Sequence, residues 1–361
     1  FMAQDIKQII NEYFLDVYES PLKEIIPQIF TSSQSLSEIE YKQLYHMKSE
    51  KFLRENLSSA FLVQDLDNFI TTIISNLNNM IDSYSKDFIR NMMTYDPDLT
   101  ISSLYKETIE MDNPIFLGAK AYFLKKLISY HFPVPPGFVL TTEVFRHHEN
   151  ILKHPYMKLE LDQFISNHIK EIENRTNQKF GNPKNPLLFS VRSGTAISMP
   201  GAMRTFLNVG MNDEITETLG KNPKFTWTAW DCYRRFLQSW GMAYGMERDI
   251  FDNIILKYKA KYGVELKVQF TPEQMREIAY SYKKVLKDHE IYIEEDPFQQ
   301  LKQTILNVID SWSSKSAIYY RNHLQVADEW GTAVIVQKMA LGNLSSFSGT
   351  GVVFTRSPLN D

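Results

Sequence analysis

The sequence has little that could cross-link it or hold it in a bilayer. Its 361 residues include a single cysteine, Cys232, so no internal disulfide is possible and a reducing compartment is implied. Lying in a Trp- and Tyr-rich stretch, that thiol reads as a core residue. No apolar run reaches the ~18 residues of a membrane span. The opening FMAQDIKQII lacks the charged-then-apolar layout of a signal peptide, so the expectation is a soluble, cytoplasmic protein. Neither sign of charge dominates: 39 basic and 43 acidic side chains leave a net charge of -4, which argues against a broad nucleic-acid-binding surface. Internal repeats and low-complexity tracts are also missing.

Several familiar chemical signatures are absent too. There is no Walker A pattern and no Rossmann fingerprint in a strand-turn-helix setting. The eight histidines show no zinc spacing, and the adjacent His147 and His148 point in different directions on a helix. Nothing resembles a nucleophile elbow.

What is present begins with helices. Leu62, Leu66, Phe69, Ile73, Leu77, Met80 and Tyr84 recur at alternating spacings of three and four, forming one apolar stripe. Ile6, Ile9, Ile10, Tyr13 and Val17 repeat the pattern earlier. Either a small self-packing bundle or a partner-binding module accounts for them. Asp-Pro and Asn-Pro in MTYDPDLTISS and EMDNP then suggest a boundary, which assigns 1–110 to a helical extension and 111–361 to a second domain. Beyond it, AYFLKKLISY predicts a helix, the proline cluster of FPVPPGFVLTT a turn into a strand, and PLLFSVR another strand. WTAWDCYRRFLQSWGMAYG predicts an aromatic helix. A charged helical stretch follows to about residue 290, then an amphipathic helix from Phe298 to Trp312. TAVIVQKMA and TGVVFTRSP predict two closing strands. The elements mix without a regular βαβ beat, so the expected class is α+β.

Three separated segments suit phosphate and a purine. Lys120, at a predicted helix start in FLGAKAYF, adds a mobile positive charge near free backbone N–H groups, although a solvated lysine would look the same. Arg192, ending a strand in FSVRSGTAISMPGAMRT, can grip phosphate oxygens bidentately. Ser193, Gly194 and Thr195 beside it permit close backbone approach, and Met203 could lie against a purine; a turn with a structural arginine is the plainer account. Gln337, Lys338 and Met339 lie on a strand whose backbone could meet an adenine edge. Thr350 and Gly351 sit in a flexible SGTG loop that could equally be a hairpin turn.

Six segments in order resemble the pyruvate phosphate dikinase and phosphoenolpyruvate synthase family. They are LGAKAYFLKKLISYHFPVPPGFVLTTEVF, SVRSGTAISMPGAMRTFLNVGMND, WDCYRRFLQSWG, SWSSKSAIYYRN, EWGTAVIVQKMALGN and SGTGVVFTRSP. The MPGAM stretch favours the dikinase side. The resemblance covers about residues 112–361 and implies an ATP-grasp fold that passes a phosphoryl group from ATP to a histidine on another domain, in cis or in trans, releasing AMP. Later steps in that family lead to phosphoenolpyruvate. It also implies that Lys120 and Arg192 hold phosphates, with Ser193 beside them. Met203, Gln337, Lys338 and Met339 would line the adenine pocket, and Thr350 and Gly351 would lie near the nucleotide. The implied cofactors are ATP and Mg2+, with the acidic magnesium motif expected beyond Asp361. Departures from the family pattern are Ala119 and Ala121 in a glycine-rich loop, Ala196 at a usually basic position, and Arg204 at a usually acidic one. They leave open a repurposed transferase acting on another protein, or a non-catalytic nucleotide-binding scaffold.

Overall fold

The computed structural model describes residues 95–353 except 154, 200 and 346, together with scattered earlier positions such as 44–49 and 72–75. The chain divides into two compact units, Phe1–Thr94 and Tyr95–Asp361. In the first unit the described residues are helical. Of the apolar stripe between residues 62 and 84, only Ile73 is described. The rest of that stripe, and the earlier set from Ile6 to Val17, lie outside the described residues.

The second unit is built on a five-stranded, wholly antiparallel sheet. Its strands in chain order are β1 (Ile101–Ser103), β2 (Gly137–Leu140), β5 (Phe189–Gly194), β6 (Thr205–Val209) and β7 (Ala333–Lys338), with spatial order β1-β2-β7-β5-β6. Two short strands, β3 (Lys179–Phe180) and β4 (Pro186–Leu187), pair separately in parallel. The predicted α+β class is the one observed.

The sheet is covered on both faces, which explains why its strands read as continuous apolar runs. Along β7, Val334 and Val336 enter a large core while Ala333 and Ile335 enter a smaller one on the opposite face. Along β2, Phe138 and Leu140 alternate with Val139 in the same way. Successive strand side chains point to opposite faces, and here each face has its own cover.

The large core is closed by α3 (Pro155–Thr176), α5 (Thr226–Ala243), α7 (Pro272–Asp288) and α8 (Pro297–Asp310). From α5, Tyr233, Phe236 and Trp240 are each at most 1% exposed. Burying a side chain of this size contributes roughly 1.5–3 kcal/mol before ordering entropy is subtracted. The smaller core lies under α1 (Pro114–Ser129), which contributes Leu117 and Ala121. The remaining helices are α2 (Thr142–Lys153), α4 (Asp213–Gly220), α6 (Arg248–Tyr262) and α9 (Lys315–Leu324).

The two Asx-Pro pairs turn out to be helix starts. Asn113 caps α1, its side chain accepting from the N–H groups of Ile115 and Phe116, with Pro114 in the first turn where a missing N–H costs nothing. Asp96 and Pro97 open a short 3-10 turn the same way. The predicted closing strand TGVVFTRSP is not a strand over its described residues, 350–353, and its remainder lies outside them.

Candidate functional site

Strand pleating decides which side chains can meet. Val191 faces the large core, so Arg192 faces the α1 side, as do Ile335 and Gln337. Arg192 pairs with Ile335 and Ser190 with Gln337, which makes Arg192 and Gln337 diagonal neighbours on that face. Nη2 of Arg192 donates to Oε1 of Gln337, and Nε2 of Gln337 donates to the carbonyl of Pro135 at 2.9 Å.

The chain reaches Lys120 through a break in α1. Gly118, at φ 71 and ψ 160, is the one non-helical residue inside that helix, and helical geometry resumes after it. The break presses α1 onto the end of β5: the N–H of Ala119 donates to the carbonyl of Thr195 at 3.0 Å. Nζ of Lys120 then lies 3.4 Å from the carbonyl oxygen of Ser193. Of the loop's small residues, only Gly118 needs to be glycine. Ala121 is fully buried beneath the helix, so the alanines fit as they stand.

The electrostatics of this corner are unfavourable as they stand. Lys120 as a whole residue is exposed, but its ammonium end lies against β5, and its pKa is lowered first by desolvation there and second by Arg192. Desolvation also works against the charge of Arg192, whose Nε is buried with no hydrogen-bond partner. Two cations that disfavour one another, one with an unsatisfied buried donor, match a polyanion, which would neutralise both and accept from Nε. A triphosphate therefore fits Lys120 and Arg192. Among the described residues no group of three or more His, Cys, Asp or Glu is placed to hold a metal ion.

The other residues expected from the sequence lie at varying distances from this corner. Ser193 is buried and contributes its carbonyl. Met203 packs with Met199, Ala202 and Trp312, its sulfur 3.8 Å from Oγ of Ser311. Lys338 follows Gln337 and so projects from the opposite face of β7, paired with Phe189. Met339 packs against the large core, its N–H donating to the carbonyl of Leu188 at 2.8 Å. Thr350 and Gly351 are exposed in irregular chain. Arg204 donates to Oδ1 of Asn307 at 3.2 Å and to its carbonyl at 3.4 Å, a favourable place for a cation at the last turn of α8.

Sequence reasoning did not foresee the part played by Pro135. The proline run was legible as a turn, but that its carbonyl holds Gln337 depends on strand register. A separate cavity of about 190 Å³, lined among others by Val144, Ile165, Lys302 and Ile309, includes none of the expected site residues.

Residues 148–361 match the family described as pyruvate phosphate dikinase, AMP/ATP-binding domain. Pyruvate, phosphate dikinase of Rickettsia bellii is 37% identical over 249 residues, 67% of this chain and 27% of that protein. The chloroplastic pyruvate, phosphate dikinase of Mesembryanthemum crystallinum is 38% identical over 250 residues, 67% of this chain and 25% of its own length. The Clostridium symbiosum protein of the same name is 37% identical over 248 residues, again 67% of this chain and 28% of the relative. The aligned region thus spans only about a quarter of each relative.

Proposed function

We propose, from the premise that this chain belongs to the pyruvate phosphate dikinase family of AMP/ATP-binding domains, that Lys120 and Arg192 hold the phosphates of ATP while a histidine nitrogen attacks the β-phosphorus, the α–β phosphoanhydride bond breaks, AMP leaves and the β,γ-pyrophosphoryl group stays on the histidine. The observation that carries this reading is the pair itself: two partly desolvated cations brought together at the α1–β5 contact, with a buried guanidinium N–H left unpaired. Such a site stabilises charge that spreads over phosphoryl oxygens, the main demand of this chemistry.

In this reading residues 111–361 together with β1 (Ile101–Ser103), the edge strand of their sheet, form the ATP-grasp domain, and the residues before them choose a protein partner. Magnesium arrives with ATP as its counter-ion. The acceptor histidine belongs to another domain, in cis or in trans, and the reaction takes place in the cytoplasm. When bound, ATP supplies the pyrophosphoryl group. Lys120 and Arg192 orient it, and the close backbone packing of Gly118 against Gly194 fixes the spacing of that corner.

The test is to incubate the purified chain with magnesium-ATP and a dikinase histidine domain supplied in trans, then separate the nucleotides. AMP together with the β,γ-pyrophosphoryl group on a protein histidine is the expected result. ATP recovered intact although bound would favour a non-catalytic nucleotide-binding role. Phosphate appearing on a different protein would favour the repurposed transferase.

A further inference from the structure

Gln337 connects two features that the proposed chemistry leaves unused, the proline run and the centre of the sheet. Its side chain is 5% exposed, so both ends of its amide need partners. The carbonyl of Pro135 can only accept and the guanidinium of Arg192 can only donate, so the amide has one satisfied orientation: Nε2 to Pro135 and Oε1 to Arg192. The anchor is stiff. Pro135 and Pro136 each have a ring-fixed φ, and the carbonyl of Pro136 accepts from the N–H of Lys338 at 2.8 Å, one residue beyond Gln337. The proline run therefore grips β7 twice, once through the backbone and once through the Gln337 side chain.

We propose that Gln337 is a positioning residue that holds Arg192 ready for phosphate, in a chain of contacts from Pro135 through the amide to the guanidinium. The inference rests on Arg192 being a phosphate ligand and goes on to say what presents it. An unrestrained arginine side chain spreads over many rotamers, and ordering it costs up to roughly 2 kcal/mol on binding. A guanidinium held beforehand avoids much of that cost. Gln337 occupies Nη2 and leaves the buried Nε without a partner of its own. This differs from a role against adenine, because a residue acting through Arg192 matters equally to a ligand that has no base.

The test is a double-mutant cycle with two probes, ATP and inorganic tripolyphosphate, measured by calorimetric titration. Gln337→Met keeps the length and burial of the side chain and removes both hydrogen bonds. It is expected to weaken both probes by about 5- to 10-fold, the value of roughly one hydrogen bond. In an Arg192→Ala background the same change is expected to alter neither probe by more than about twofold. Equal losses in both backgrounds, a loss confined to ATP, or no loss at all would each overturn the inference. If the unsubstituted chain bound neither probe, the nucleotide-site reading itself would fail, an outcome visible before any variant is made. Should Gln337→Met not fold, Gln337→Asn, which retains the amide but withdraws it by one methylene, carries the same cycle.

Discussion

Gly118 and Gly194 meet backbone to backbone: a β-carbon added at residue 118 would lie 2.1 Å from the carbonyl oxygen of Gly194. That contact sets the distance between α1 and β5, and so between Lys120 and Arg192.

Gly118→Ala is therefore expected to be strongly destabilising. At φ 71 and ψ 160 the residue occupies a region open essentially to glycine alone, where another residue costs about 1–3 kcal/mol before any clash is counted. Gly201, at φ 72 with nothing within 4 Å of an added β-carbon, is the control, since Gly201→Ala carries strain without collision. Denaturant melts should rank Gly118→Ala well below Gly201→Ala. Equal stability would mean that α1 moves freely off β5.

Polyphosphate binding should depend on alkaline pH. Lys120 titrates below the 10.5 of an ordinary lysine because of desolvation and then Arg192. A bound polyanion favours the charged form and raises that pKa. Affinity should then be constant at lower pH and fall as pH rises through the lowered free-state value, with protons taken up on binding in that window. Calorimetry in two buffers of different ionisation heat measures the uptake. Arg192→Ala, which removes one of the two lowering causes, should shift the fall to higher pH.

Cys232 should resist thiol reagents. It is 3% exposed, and burial raises its pKa to about 12, so little thiolate forms at neutral pH. Reaction with a disulfide reagent is expected only at the rate of unfolding. Rapid labelling of the native protein would contradict the packing of α5.

Acid should release the Asp231 cluster. Burial alone would raise the pKa of Asp231, but Arg234 and Arg235 outweigh it and hold the carboxyl below its unfolded value of 3.8. The stability this confers is complete above that value and is lost as pH falls through the lowered folded one. Asp231→Asn should flatten that acid limb. It should also cost about 3–5 kcal/mol at neutral pH by leaving the Arg234 guanidinium buried without its anion, since that side chain is 3% exposed. The loop after β7 should loosen too, because Asn343 donates to Asp231 at 2.9 Å. Urea melts across the acid range measure both effects.

Much of this was legible in the sequence. The continuous apolar run in TAVIVQ marks a strand buried on both faces, and the aromatic spacing of WTAWDCYRRF shows α5. Lys120 and Arg192 stand out because each places a cation among small residues. Other parts were hidden for physical reasons. Three residues, Ile101–Ser103, are too few to set a period, and the edge strand Thr205–Val209 has exposed Thr205 and half-buried Leu207 among its buried positions. Asn113 looked like a boundary because an Asx-Pro pair suits a turn and a helix start equally well. The Arg192–Gln337 contact joins residues 145 apart, and only the register of β5 on β7 brings them together.

The measurement that tests the central claim most directly is calorimetric titration of ATP into the unsubstituted chain and into Arg192→Ala. Losing a charge-assisted phosphate contact should weaken binding by about 1.5–3 kcal/mol, roughly 10- to 150-fold, with melting behaviour otherwise intact. Unchanged ATP affinity in a folded Arg192→Ala protein would contradict the account and remove the α1–β5 corner as the phosphate site.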